Sequence, residues 1–320
     1  MEQALRVAVV GASGIGRHHA KWHHLAGCRV VAFLGTSPES CRATEKELRE
    51  LFGFAGRGYC DWDELVLNEK PEVVDVCAPN DRHAEYIDRA LEAGCHVLCE
   101  KPLVWREDGA AEILEDAAAL VDKAAALDRR FGVCTQYSVA LPHYERLYAA
   151  VRGPFGPVTQ FDAEMETLAR GRRRSAVDVW VDMGSHPLSL LLGWIPDGRI
   201  DPVSLKVDFA DRRSAVGFDF VHGEGRCRCR IVVADIDRGP PARRFGVNGL
   251  LVDCQGKNDA EGVYRIALRH GEHEVFEQDY MSLLIEGFVA ACRRGSPPRP
   301  DAATGRRNLE LQLEILGRAV

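Results

Sequence analysis

The six residues Gly11-Ala12-Ser13-Gly14-Ile15-Gly16 separate a short apolar run from a stretch that can be helical. Glycines so placed let the chain turn tightly, bring backbone against a bound group and let a helix pack close to a strand. The start of a helix also attracts anions. The chemistry that fits Gly11, Ser13, Gly14, Ile15 and Gly16 is capture of a dinucleotide pyrophosphate. Ser13 stands where the pattern usually has glycine and crowds the backbone approach slightly. An acidic side chain about 20 residues on normally binds the ribose hydroxyls. Here the second apolar run ends Phe33-Leu34-Gly35-Thr36-Ser37, with no carboxylate. Hydroxyls of Thr36 and Ser37, with Arg42, suit a 2′-phosphate, which favours NADP slightly over NAD.

A second charged feature is Arg170-Gly171-Arg172-Arg173-Arg174-Ser175. A solvated loop explains it. The sharper reading is an anion clamp through Arg172 and Arg173, because guanidinium meets carboxylate or phosphate in bidentate fashion.

These residues need elements to hold them. Apolar runs at residues 5–10, 29–34, 73–78, 96–99 and 131–137 alternate with helical stretches ending near 26, over 38–52, 83–93 and 108–128. Unbroken apolar strands between helices imply a parallel sheet covered on both faces, a doubly wound Rossmann domain over residues 1–137. After residue 137 the pattern changes. A helix over 142–152 and a Gly153-Pro154 turn precede strand-like segments at 158–165, 203–209, 214–222, 226–233, 245–253 and 263–270. Their two-residue alternation predicts an α+β domain over 138–320 with an open-faced, mainly antiparallel sheet. Helices over 278–294 and 304–318 close the chain, Thr304 capping the last. The open face predicts a homodimer or homotetramer.

At Cys99-Glu100-Lys101-Pro102 the chain strongly resembles the glucose–fructose oxidoreductase / inositol dehydrogenase / MocA family. The likeness runs in order through nearly the whole chain: the glycine loop with Arg17-His18-His19, then Ala78-Pro79-Asn80 and His83, then Glu100-Lys101-Pro102, Gly153-x-x-Gly156 and Asp182-x-Gly184-x-His186. The resemblance implies a Rossmann domain, a second α/β domain and Lys101, Asp182 and His186 as catalytic residues. The chemistry needs such types, since an alcohol gives up its hydroxyl proton as hydride leaves. Lys101 follows a parallel strand, where open α/β sheets bind ligands, and partial burial beside a positive nicotinamide would lower its pKa. Asp182 and His186 are four apart and share a face if helical. Asp182 would then orient substrate or imidazole while His186 moves the proton. The plainer alternatives are a solvated lysine and a helix-capping pair. The resemblance also places Pro79, Asn80, His83 and Glu100 near the cofactor, and Gln136 or Tyr137 on the substrate or nicotinamide amide; packing explains the last two equally well. Ser138-Val139-Ala140 is small and mostly apolar where many relatives carry arginine and aromatic residues, and Ser189 stands where many carry the aspartate of a standard cyclitol or hexose contact; the arginine clamp would suit a sugar acid or sugar phosphate.

The activity expected is hydride transfer between nicotinamide and a hydroxyl carbon of a small polyol, sugar, cyclitol or sugar acid. A non-catalytic ligand sensor and a nicotinamide-assisted glycoside-cleaving enzyme are the alternatives. A net charge of −7 gives no global attraction to nucleic acid or an anionic membrane, and no apolar run nears the roughly 20 residues of a membrane span. The start Met1-Glu2-Gln3-Ala4 leads straight into a strand and lacks a secretion signal, so the expected location is cytoplasmic. Eleven scattered cysteines without a Cys-x-x-Cys pair read as buried reduced thiols, with no metal site.

Overall fold

The computed structural model describes residues 3–106, 109–223, 225–260 and 263–319. The chain divides into two compact units: Met1–Cys134 with Met281–Arg306, and Thr135–Tyr280 with Arg307–Val320. No helix among the described residues is long and apolar enough to cross a membrane.

In the first unit the strands are β1 (Arg6–Val10), β2 (Arg29–Leu34), β3 (Arg57–Tyr59), β4 (Val73–Val76), β5 (His96–Glu100) and β6 (Phe131–Cys134). They form one parallel sheet in the order β3-β2-β1-β4-β5-β6. Val7, Ala8, Val9 and Val10 are all buried, because helices cover both faces and neither face of the strand meets water. The order reverses between β1 and β4, which opens a crevice at their carboxyl ends. Helices α1 (Gly16–Leu25), α2 (Pro38–Phe52), α3 (Trp62–Glu69), α4 (His83–Glu92) and α5 (Ala110–Ala126) supply the crossovers. The start expected for the last of these, Asp108, lies outside the described residues, as do Met1, Glu2 and Glu224. Two elements escaped the sequence pattern: β3 has only three residues, and α3 has a weak apolar stripe, although Asp61 caps it through the Glu64 N–H at 2.8 Å.

The strand expected over 131–137 stops at Cys134. Thr135 turns the chain, its carbonyl accepting from Ser138 N at 3.0 Å and Ser138 Oγ at 2.9 Å. Gln136 and Tyr137 therefore sit in a 3₁₀ turn within the second unit.

The second unit carries helices α6 (Leu141–Arg152), α7 (Ala176–Met183) and α8 (Ser185–Trp194). Its strands are β7 (Gln160–Leu168), β8 (Arg199–Ile200), β9 (Lys206–Ala210), β10 (Arg213–His222), β11 (Gly225–Ile236), β12 (Arg243–Val247), β13 (Leu250–Asn258), β14 (Tyr264–His270) and β15 (His273–Glu277). The order is β15-β14-β13-β12-β7-β11-β10-β8, with β9 also on β10, and every pair is antiparallel except β7–β11. On β11, Cys227 and Cys229 are buried while Arg226, Arg228 and Arg230 are exposed, as alternation requires. The segment 245–253 is two strands, because Asn248 and Gly249 take φ of 51° and 80° and make a tight hairpin. On the solvent face Arg244 lies 2.8 Å from Asp253 and 3.9 Å from Glu164, so an ion-paired row dresses part of it. Helices α9 (Tyr280–Arg294) and α10 (Ala302–Leu316) end the chain. Asp301, not Thr304, provides the side-chain cap of α10, accepting from Thr304 N at 2.8 Å.

Candidate functional site

The first unit builds a cavity of about 530 Å³ at the carboxyl ends of β1, β2 and β4. Gly11, Ser13, Ile15, Thr36 and Pro79, all expected near a cofactor, line it. Gly11 takes a φ of 82° and sits under the Cys77 carbonyl, which a Cβ would approach to 2.7 Å. At Gly16 a Cβ would lie 2.1 Å from the Gly11 carbonyl oxygen. The start of α1 thus closes on the turn only because Gly16 lacks a side chain, and the turn closes on the chain after β4 only because Gly11 does.

Other expected cofactor residues lie outside this lining. Ser37 caps α2, its oxygen accepting from Ser40 N at 3.2 Å. Arg42 pairs with Glu39 at 3.0 Å, away from the cavity lining. Gly14 and Asn80 are also outside the lining. His83 is fully buried, with Nδ1 2.8 Å from the Pro102 carbonyl and Nε2 3.0 Å from that of Ala78. It tethers the loop after β4 to the loop after β5, and burial lowers its pKa. The lining also contains Ser40, Thr44, Arg82 and Tyr86, which motif reading missed. Arg82 pairs with Glu85 at 2.7 Å and its guanidinium lies 5.3 Å from the Tyr86 ring centre. No carboxylate is among the lining residues.

Lys101 is half-buried and directly follows β5. Register pairs Val10 with Val76 and Val76 with Cys99, so Lys101 leaves the sheet two strands from the glycine turn. At the spacing of adjacent strands that is about 10 Å. Glu100 fixes the chain at this point. Its Oε2 accepts from Lys101 N at 3.1 Å, and its Oε1 lies 3.0 Å from His19 Nε2.

His19 opens onto a buried cluster that sequence reading did not anticipate. Its Nδ1 is 2.9 Å from Asp75 Oδ2, and His23 Nε2 is 2.8 Å from the same oxygen. The Cys77 and Cys134 thiols adjoin it, at 3.5 Å from Asp75 and 3.9 Å from His19. Burial opposes a charge on His19, but the Asp75 carboxylate outweighs it and the pKa is raised well above 6.5. Burial likewise opposes charge on Asp75, and its contacts with His19 and His23 win, lowering its pKa. The arrangement is an imidazole held between two carboxylates, which favour its protonated form. Ligand-type atoms of His19, Asp75 and Cys77, and of His19, Glu100 and Cys134, each lie within 4.8 Å of one another. Both His19 nitrogens already face carboxylates, so a metal would have to displace one of these contacts. The legible signal was Asp75 inside an apolar strand, opposite histidines spaced four apart on α1.

In the second unit, Asp182 and His186 lie on successive helices rather than one. Gly184 joins them, since a Cβ there would come within 2.8 Å of the Trp180 carbonyl and 3.0 Å of its ring. Side chains of α10 satisfy carbonyls around this corner: Gln312 Nε2 donates to Trp180 and Val181 at 2.9 Å, and Asn308 Nδ2 to Ser185 at 2.8 Å. The Trp180 carbonyl also accepts from Gly184 N at 2.8 Å, and Val181 lies in the last turn of α7, where carbonyls lack intrahelical partners. His186 is buried, with the Tyr137 ring edge-on at 5.1 Å. Burial pushes the Tyr137 phenol up to about 12, and its oxygen accepts from Arg243 Nη1 at 3.2 Å. Gln136 is half-buried beside it.

The arginine loop divides in function. Arg172 and Arg173 are exposed, and Arg172 Nε reaches the Ala169 carbonyl at 3.4 Å. Arg174 turns inward. Its Nε donates to Asp235 Oδ2 at 2.8 Å, its Nη2 to the other oxygen of Asp235, and its Nη1 to Asp182 Oδ2 at 2.6 Å. Asp235 is buried, so the fork both neutralises it and fixes Asp182. Lysine at 174 keeps the charge but loses the fork. We expect Arg174→Lys to cost about 1.5–3 kcal/mol, read from the denaturant midpoint; an unchanged midpoint would remove this account.

Residues 5–134 match the family described as "Oxidoreductase family, NAD-binding Rossmann fold" (GFO_IDH_MocA). The chain is 37% identical over 139 residues to D-glucoside 3-dehydrogenase of Escherichia coli strain K12, covering 41% of this chain but only 37% of that relative. It is 25% identical to UDP-N-acetylglucosamine 3-dehydrogenase of Acidithiobacillus ferrooxidans, over 97% of this chain and 96% of the other. A solved structure of that dehydrogenase superposes with a TM-score of 0.74 at 21% identity, covering 98% of this chain and 97% of its own, a likeness of fold. The glycine turn, the parallel sheet around it and these matches agree: residues 5–134 are similar to the NAD-binding Rossmann domain of the GFO_IDH_MocA oxidoreductase family.

Proposed function

We propose that the protein is an NAD(P)-dependent oxidoreductase that moves hydride between nicotinamide and a hydroxyl carbon of a small sugar, cyclitol, polyol or sugar acid. The observation that carries this reading is the cavity at the strand-order reversal, floored by a turn that a Cβ would obstruct, with Lys101 leaving the same edge of the sheet two strands away. Gly11, Ser13 and Ile15 would hold the pyrophosphate end, with Gly14 and Gly16 shaping the turn. Thr36, Ser40 and Arg82 would hold the ribose end, and their polarity without a carboxylate favours a 2′-phosphate, hence NADP. Bound there, the nicotinamide supplies the hydride acceptor or donor. Lys101 exchanges the hydroxyl proton through its amine, with Glu100 holding its backbone. In the second unit, His186 is a residue type able to carry a proton, and Asp182, held by Arg174, would be a polar contact for substrate. Exposed Arg172 and Arg173 would contact an acidic group on the substrate. A second copy of this chain remains the partner proposed for the open sheet face; a monomer mass in solution removes it.

The test is absorbance at 340 nm with both cofactors against sugars, cyclitols and sugar acids. Stoichiometric reduced cofactor supports the reading, and turnover without net reduction would replace it with nicotinamide-assisted cleavage. Gly16→Ala forces the turn and α1 apart. Overpacking of this kind costs about 1–3 kcal/mol, so dinucleotide affinity should fall about five- to 150-fold by calorimetry. Unaltered affinity would show that the pyrophosphate binds elsewhere.

A further inference from the structure

We infer that Cys41 and Cys60 form a site of reversible covalent modification, closing to a disulfide when the protein meets a low-molecular-weight disulfide such as oxidised glutathione. Of the eleven cysteines, ten are buried and Cys60 is exposed, contrary to the uniform burial expected from sequence. Its sulfur lies 3.4 Å from that of Cys41. Cys41 is in the first turn of α2, and Cys60 directly follows the edge strand β3. The direction of the Cys41 side chain is fixed by its surroundings. It occupies space left by two glycines: a Cβ on Gly35 would lie 2.7 Å from its sulfur, and one on Gly58 3.1 Å from its Cβ. Its thiol also donates to the Tyr59 carbonyl at 3.4 Å, next to Cys60.

A disulfide needs about 2.05 Å between sulfurs, so the remaining closure is small. A three-residue edge strand, paired on one side only, is the element best able to make it. By contrast, the Cys227 and Cys229 sulfurs lie 3.8 Å apart but both are buried, with no exposed member to begin exchange.

The steps balance. The Cys60 thiolate attacks one sulfur of oxidised glutathione, and one glutathione thiolate leaves. The Cys41 thiolate then attacks Cys60 Sγ and expels the second glutathione. The two thiol protons pass to solvent or to the departing thiolates, and the two electrons lost by the protein reduce the glutathione disulfide. Burial pushes the Cys41 thiol up to about 11, which makes the second step slow and faster at higher pH. The cross-link would tie the first turn of α2 to the end of β3, beside Ser40 and Thr44 of the cavity wall. It does not depend on what the cavity binds.

The experiment treats the reduced full-length protein with oxidised glutathione near about pH 8, close to the ordinary thiol pKa, then alkylates it in denaturant for peptide mass spectrometry. The expected product is a Cys41–Cys60 cross-linked peptide and an intact mass lower by two hydrogens, reversed by dithiothreitol. Cys60→Ser, at an exposed position, should leave Cys41 fully alkylated, and Cys41→Ser should hold glutathione on Cys60. Wild-type protein that stops at the glutathione adduct on Cys60, cross-links other cysteines, or keeps all its thiols overturns the inference.

Discussion

Replacing Lys101 with alanine is expected to lower kcat by about 10²–10⁴-fold, the usual weight of a positioned general acid or base. The prediction rests on the proposed hydride transfer and on the place of Lys101 beyond β5. Dinucleotide affinity should change little, because Lys101 does not line the cavity at the glycine turn. Arginine is an informative second replacement. It preserves the positive charge, yet a guanidinium does not give up its proton in the working range. If Lys101 only attracts substrate, arginine should restore much of kcat; if it handles the proton, arginine should leave the enzyme nearly as slow as alanine. A Lys101→Ala enzyme within twofold of wild type would end this role.

The second large effect is expected at Asp75. Asp75→Asn nearly preserves shape but leaves His19 and His23 without their shared carboxylate in a fully buried site. Breaking a buried pair from one side costs about 3–5 kcal/mol. The pH dependence has a definite sign. The His19 pKa is raised above 6.5 in the folded state, so its contribution is complete below that value and is lost as pH rises through the folded pKa. The Asp75 pKa is lowered from 3.8, so its contribution holds above that value and is lost as pH falls through the folded pKa. The stability gap between wild type and Asp75→Asn should therefore be widest from pH 3.8 to 6.5 and shrink on the alkaline side. Denaturant titrations across that range measure it, and a gap that is small or flat from acid to alkali contradicts the charged cluster. Because Glu100 binds both His19 and the Lys101 amide, the same variant should also reduce turnover.

Local patterns carried the first sheet well. The runs at 5–10, 29–34 and 96–99 lie at β1, β2 and β5, since a strand covered on both faces must be apolar throughout. The short edge strand β3 offered too few residues for any pattern. Around Asp182 and His186 the spacing of four was visible, but the break between α7 and α8 was not. It arises from the approach of Gly184 to Trp180 and from the amides of α10, more than 120 residues away.

Within the glycine turn, residue type alone determined the backbone packing: glycine is required where backbone meets backbone, and Gly11 and Gly16 show that contact. Tertiary structure decided which polar groups remain available to a ligand. Ser37 is used as a helix cap, His83 as a tether and Arg174 as a partner for Asp235, whereas Arg82 faces the cavity. The physical reason is that a buried donor or acceptor must be satisfied, and its partner is chosen by the folded chain rather than by neighbours in sequence.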